Sequence, residues 1–224
     1  MIQVKNPSSA PPPIYIKTSS DITFCCFPIS EARKFIHTSQ KEHFLSEKEW
    51  QLASRYRQFE RKLQWFSGQI GAKYALSHHL NNHSLQDLTI LRTLRGMPFC
   101  KQMPQLSVTI SHSYDLAVAA VSEQTIGIDI EKDEPRPESF IKTWLSPREY
   151  EQYQSLPKEK QQTMVNHSWT VKEAYSKWCG MGGHISFKDI CSLKLARRKD
   201  LKLLKINIPH YQCSIIATSG EIYG

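Results

Sequence analysis

Apolar positions along the chain switch between two periodicities, and each switch marks an element. Ile22–Pro28 is a short apolar run that reads as a strand. Ser46-Glu47-Lys48-Glu49 is a capping-box pattern, with Ser46 as N-cap and Glu49 reaching back, and it opens a helix through about Tyr56. A second helix is expected from about Phe59 to His79. From Leu106 short apolar runs return: Val108 and Ile110 alternate, Ser111–Asp115 turns, Leu116–Val121 is continuous, and Ser122–Thr125 turns again into Ile126–Glu131. This pattern predicts a three-stranded antiparallel meander. Ser146-Pro147-Arg148-Glu149 is a second capping box with proline at the first helical position. A helix from about Lys158 to Cys179 should follow, stopped by Gly180, Gly182 and Gly183. Ser186–Thr218 is expected to form three strands with a basic turn near 197–200.

The chain also echoes itself. Leu45-Ser46-Glu47-Lys48-Glu49-Trp50 returns loosely as Leu145-Ser146-Pro147-Arg148-Glu149-Tyr150, and Trp65-x3-Gln69-x3-Lys73 matches Trp169-x3-Glu173-x3-Lys177. Each half then runs into strands. The expectation is an α+β protein of two pseudo-twofold halves, each with helices packed on a small antiparallel sheet and a cleft between them. The boundaries are an extended lead-in over 1–20, rich in proline at 7–13, an N-terminal half over 21–124 and a C-terminal half over 125–224.

Composition narrows the class. Of 224 residues 40% are hydrophobic and 10% aromatic, values of a folded chain rather than a disordered one. No apolar run approaches the ~20 residues that cross a bilayer, and Met1–Pro7 lacks the apolar core of a signal peptide. Six scattered cysteines show no CxxC spacing, which argues against a zinc site or a disulfide framework. A cytoplasmic protein with reduced thiols and no membrane contact is expected. The formal charge of +8 favours an anionic partner, and nucleic acid, an acidic protein or a polyphosphate ligand fit it equally.

Three segments carry chemistry. In Gly127-Ile128-Asp129-Ile130-Glu131 strand alternation puts Asp129 and Glu131 on one face. That pair is either a nest for a hard cation such as magnesium or the polar face of an ordinary half-buried strand. In Trp169–Trp178 the core stripe is Val171, Ala174, Tyr175 and Trp178, with Glu173, Lys177 and Trp169 opposite. A surface ion pair accounts for Glu173 and Lys177, but a tryptophan on that face suggests a cleft wall. His112, in the turn of the expected meander, falls toward the same sheet end as Glu131, where it would either meet phosphate or cap the turn.

Gly127-Ile128-Asp129-Ile130-Glu131 followed by Trp169-Thr170-Val171-Lys172-Glu173-Ala174-Tyr175-Ser176-Lys177 resembles the paired signature of the surfactin-type (Sfp-type) phosphopantetheinyl transferases. Ile110-Ser111-His112-Ser113 and Gly180-Met181-Gly182 agree with it, and the resemblance spans roughly residues 45–190. It implies a monomer that moves the phosphopantetheine arm of coenzyme A onto a carrier-protein serine, releasing 3′,5′-ADP. Asp129, Glu131 and Glu173 would bind magnesium, or manganese in its place. Glu173 would act as base, and Lys177 would steady the pyrophosphate or help protonate the leaving group. Ser111 and His112 would meet the adenosine end, with Gly96 and Pro98 nearby, and an acyl- or peptidyl-carrier protein would dock near Phe140–Tyr150.

Two departures from the family pattern stand out. Gln69 and Met97 occupy places where the family often has basic residues, and Arg61, Lys62, Lys73, Arg92 and Arg95 are the cations available to compensate. They keep open a binding module without efficient catalysis. A nucleic-acid-binding protein would leave the acidic trio unexplained.

Overall fold

Both serines that the pattern marks as helix starts do begin helices. Glu49 and Glu149 each take the backbone N–H of their capping serine, at 2.7 Å from Ser46 and 2.8 Å from Ser146. The computed structural model describes residues 15–18, 21–81, 83–182 and 185–219, so the lead-in over 7–13 and Gly183 lie outside it. In chain order the first elements are β1 (Tyr15–Thr18), β2 (Ile22–Pro28), α1 (Ile29–Phe35), α2 (Glu47–Ser54), α3 (Phe59–His79), β3 (Ile90–Arg92), β4 (Pro98–Cys100), β5 (Ser107–Ser113) and β6 (Leu116–Ser122). There follow β7 (Ile126–Lys132), α4 (Glu138–Trp144), α5 (Pro147–Ser155), α6 (Lys158–Trp178), α7 (Ser192–Leu195), β8 (Leu201–Ile208) and β9 (Tyr211–Thr218).

Two antiparallel sheets result, ordered β1-β2-β6-β5 and β7-β9-β8, with β3 and β4 as a separate hairpin. In the first sheet β6 lies between β2 and its hairpin partner β5, with β1 outside β2; in the second β9 lies between β7 and its hairpin partner β8. Their inner faces pack on each other: Phe24, Cys26 and Val118 meet Ile128, Ile130, Cys213 and Ile215. α3 covers the outer face of the first sheet through Phe66 and Ile70, and α6 covers the second through Val171 and Ala174. A strand buried on both faces tends to a near-continuous apolar run, and β2 is apolar apart from Thr23.

The structure corrects the expected meander. β7 does not pair with β6; it opens the second sheet, where Asp129 faces Ser214 and Glu131 faces Gln212 on β9. β5 and β7 instead meet along a seam of side-chain hydroxyls. Oxygens of Ser107, Thr109 and Ser113 accept the backbone N–H groups of Ile126, Ile128 and Lys132 at 3.3, 3.2 and 3.1 Å. Three residues of this period-two set thus supply an acceptor that a neighbouring strand would otherwise provide, while the fourth, Ser111, donates to Asp129. A second correction concerns Ser186–Thr218, which holds two strands and the short helix α7. Ser192 at the start of that helix gives its N–H and Oγ to Glu149 at 2.7 and 2.6 Å, which draws the segment inward.

The internal echo is real but differently registered. α3 and α6 each have 21 residues, and Lys73 and Lys172 sit at the same distance from their starts. Lys73 bonds Glu49 at 2.7 Å and Lys172 bonds Glu149 at 2.6 Å, all four side chains being 0–1% exposed. Lys73 therefore corresponds to Lys172, not to Lys177. It is also withdrawn from any ligand, which removes it from the expected coenzyme A contacts. Burial lowers both ammonium groups from their ordinary range, while their glutamates pull the other way. Burial alone would raise the Glu149 carboxyl, but bonds from Lys172, Ser146 and Ser192 outweigh it and hold it low.

Breaking such a pair strands a charge in the core. Glu49→Ala should cost ~3–5 kcal/mol in urea unfolding, since Lys73 is left without a counter-charge. Lys73→Met should cost less, because Glu49 keeps the Ser46 and Ile90 amides as donors.

Candidate active site

The position of the acidic pair follows from the inner face of β7. Ile128 and Ile130 are buried between the sheets, so Asp129 and Glu131 project to the other side, under α6. Gly127 permits the helix to come that close. A Cβ there would overlap the Ala174 carbonyl oxygen and lie 2.6 Å from the Trp178 amide nitrogen. Glu173 and Lys177, on the helical turn above, are thereby set against the strand carboxylates.

Asp129 is the centre of this arrangement. Its Oδ1 accepts from Lys177 Nζ at 2.7 Å and from Ser111 Oγ at 2.7 Å. Lys177 also donates to the Ile128 carbonyl at 2.9 Å. Oδ2 of Asp129 is buried and has no partner. Glu131 accepts from Arg136 at 2.8 Å and, more weakly, from Ser113 Oγ at 3.4 Å. Burial pushes the Glu173 carboxyl up to about 7, the charge of Asp129 and then of Glu131 adding to it against the pull of Lys177. Burial likewise raises Glu131, with Asp129 contributing.

His112 lies next to this group. Burial lowers its pKa, and the charges of Lys177 and Arg61 lower it further, against Asp129. The sequence placed it in a turn, near Glu131 through the meander; the β5–β6 hairpin is present, but His112 lies on β5 itself and the β5–β7 seam, not β6–β7 pairing, brings the two strands together. Arg61 is close enough for its charge to act on His112. Gly96, Pro98 and Lys177 line one cavity of about 350 Å3 between the β3–β4 hairpin and the end of α6, and Met97 shares it. Gln69 is buried, its Oε1 has no partner, and it lines a different cavity with Arg55 and Arg92.

Trp169, opposite the core stripe of α6, packs in a stack of rings. It stacks on Phe140 at 4.0 Å and on Trp144 at 4.4 Å between ring centres, so the 140–150 segment is pinned beside the acids. Sequence reasoning missed Arg136 and Asn166, and gave Ser113 no role of its own beyond its place in the Ile110–Ser113 motif. The period-two hydroxyls of β5 were a readable signal for Ser113; no spacing rule pointed to Arg136 or Asn166.

Among the described residues no three histidine, cysteine or acidic side chains already form a metal-holding cluster. The donor set nevertheless fits a hard cation. It offers carboxylate oxygen from strand and helix, an orphaned buried oxygen on Asp129, and a glutamate whose ionisation is disfavoured by burial and by the charges of Asp129 and Glu131. Among the described residues no helix is long and apolar enough to cross a membrane.

Residues 125–217 match the family model of the 4′-phosphopantetheinyl transferase superfamily. The chain is 29% identical over 151 residues to the 4′-phosphopantetheinyl transferase psf-1 of Bacillus pumilus, covering 67% of this chain and 64% of that one. It is 34% identical over 122 residues to a 4′-phosphopantetheinyl transferase of Bacillus subtilis, covering 54% and 53%. The matches thus span about half to two thirds of these relatives' length. A solved holo-(acyl-carrier-protein) synthase from Bacillus anthracis, in complex with CoA (3′,5′-ADP), is similar at 24% identity and a TM-score of 0.41, over 45% of this chain and 92% of that one. Sequence and comparison agree: the chain is similar to the Sfp-type 4′-phosphopantetheinyl transferases, and its residues 125–217 match the model of that superfamily.

Proposed function

We propose that this protein transfers 4′-phosphopantetheine from coenzyme A to a serine of an apo acyl- or peptidyl-carrier protein, releasing 3′,5′-ADP. The observation that carries the reading is the convergence of Asp129, Glu131 and Glu173 from β7 and α6, with Lys177 among them. Phosphoryl transfer needs positioning and charge neutralisation more than covalent chemistry, and this set offers both. Asp129, Glu131 and Glu173 would hold magnesium, or manganese. Such an ion neutralises pyrophosphate oxygens as a Lewis acid.

The chain's own groups do the rest. Glu173, whose carboxyl burial and the neighbouring acids raise in the metal-free protein, would take the proton from the carrier serine, directly or through a bound water. The serine oxygen then forms a bond to the β-phosphorus as the bond to the bridging oxygen breaks. Lys177, drawn from Asp129 Oδ1, would steady that oxygen or protonate it. His112, with Arg61 beside it, suits the 3′-phosphate, and the cavity at Gly96 and Pro98 suits the adenosine end. The stack at Phe140, Trp144 and Trp169 supports carrier docking over Phe140–Tyr150. Both halves come from one chain, consistent with a monomer working in the cytoplasm.

Incubation with apo-carrier, coenzyme A and magnesium should add the mass of one phosphopantetheine to the carrier. Glu173→Ala should lower that rate by ~10²–10⁴ while the protein stays folded; near-wild-type transfer by this variant overturns the base assignment. A wild type that binds coenzyme A yet leaves the carrier mass unchanged would instead be a binding module.

Glu173 also sets a pH dependence. Its folded carboxyl is raised from 4.5 to about 7, so between those values the folded chain holds a proton that the unfolded chain has lost. Stability of the metal-free protein therefore falls as pH rises through that window. Glu173→Gln should match the wild type near pH 4 and exceed it at pH 8 by roughly 1–2 kcal/mol, after allowance for solvent screening. Thermal melts in chelator across that range read the difference.

A further inference from the structure

The loop after β7 carries an arginine that has no part in the chemistry above. Arg136 donates from Nη2 to Glu131 Oε2 at 2.8 Å and from Nε to Asn166 Oδ1 at 2.9 Å. Its other amino group lies 3.7 Å from Glu134. Its guanidinium carbon is 4.8 Å from the centre of the Trp169 ring and 5.8 Å from that of Phe140. Asn166, on α6, is fully buried and is itself tied down, donating to Asp133 Oδ1 at 2.9 Å and to the Glu134 carbonyl at 2.8 Å. The planar fork is therefore fixed along its edge by hydrogen bonds and on its face by rings.

Glu131 lacks such support of its own. It lies near the end of β7, half-buried, on the same face as Asp129, whose charge repels it. Its two hydrogen bonds, from Arg136 and from Ser113, both fall on Oε2. Whatever fixes Oε2 also decides where Oε1 can go.

We propose that Arg136 is a positioning residue for Glu131, gripping Oε2 so that Oε1 is the oxygen presented to the divalent cation. The inference rests on the proposed transferase reading, which supplies the cation. Groups that orient a ligand from behind typically change metal affinity by about 10–100-fold when removed. The sign of the effect is diagnostic. Arg136 is a positive charge close to a cation site, so deleting it for charge alone would tighten cation binding. Weaker binding follows only if its hold on Glu131 matters more.

The test is manganese binding in the presence of coenzyme A, read from the paramagnetic resonance signal of the free aquo ion, with circular dichroism as the check on folding. Arg136→Ala should weaken binding about 10–100-fold. Arg136→Lys, which keeps the charge but not the fork, should also weaken it, and it serves where the alanine variant unfolds. In a Glu131→Gln background, Arg136→Ala should change nothing further. Equal or tighter manganese binding by a folded Arg136 variant overturns the proposal and leaves the transferase reading intact. No manganese binding by the wild type overturns both.

Discussion

The close approach of α6 to β7 is the constraint on which the site depends. It is possible because residue 127 has no side chain: any Cβ would run into the helix backbone at Ala174 and Trp178. At that separation a carboxylate and an ammonium on the helix fall within reach of carboxylates on the strand. Desolvation then does what sequence position cannot, shifting Glu173 upward and tying Lys177 to Asp129. A helix a few ångströms farther out would leave four ordinary surface charges.

The other half of the molecule shows what the same scaffold does without this device. Its inner-face residues Phe24 and Cys26 correspond in place to Ile128 and Ile130, so Cys25 and Phe27 stand where Asp129 and Glu131 do. Lys73 corresponds to Lys172, and so Tyr74 stands where Glu173 does. Phe27 and Tyr74 stack, with ring centres 6.2 Å apart, and Cys25 is fully buried beside them. One half has filled the space under its helix with core; the other has filled it with charge. The buried Glu49–Lys73 and Glu149–Lys172 pairs persist in both because each holds a capping box, a long helix and a returning segment on one carboxylate.

Much of this was legible beforehand, for physical reasons that differ from residue to residue. Capping boxes are local, and Ser46 and Ser146 marked their helices. The acids at 129, 131 and 173 were readable because strand and helix periods dictate which faces they occupy. The meander was misread because hairpin rules count turn residues, and four of them at Ser122–Thr125 suit a hairpin as well as a crossing between sheets. Lys73 was misread because a lysine on a helix normally faces water, and only the distant Glu49 makes its burial tolerable. Arg136 was invisible, since its role depends on Asn166 and Trp169, which approach it only once α6 has docked.

The hydroxyl seam between β5 and β7 has a consequence for assembly. A chain of two similar halves could exchange halves with a neighbour, each sheet edge accepting the equivalent edge of another copy. Here the residues joined across the seam are only about 19 positions apart. A short tether holds its ends together at an effective concentration in the millimolar range. Such a tether favours this pairing within one chain over the same pairing with a second copy, and the two otherwise open strand edges shield each other.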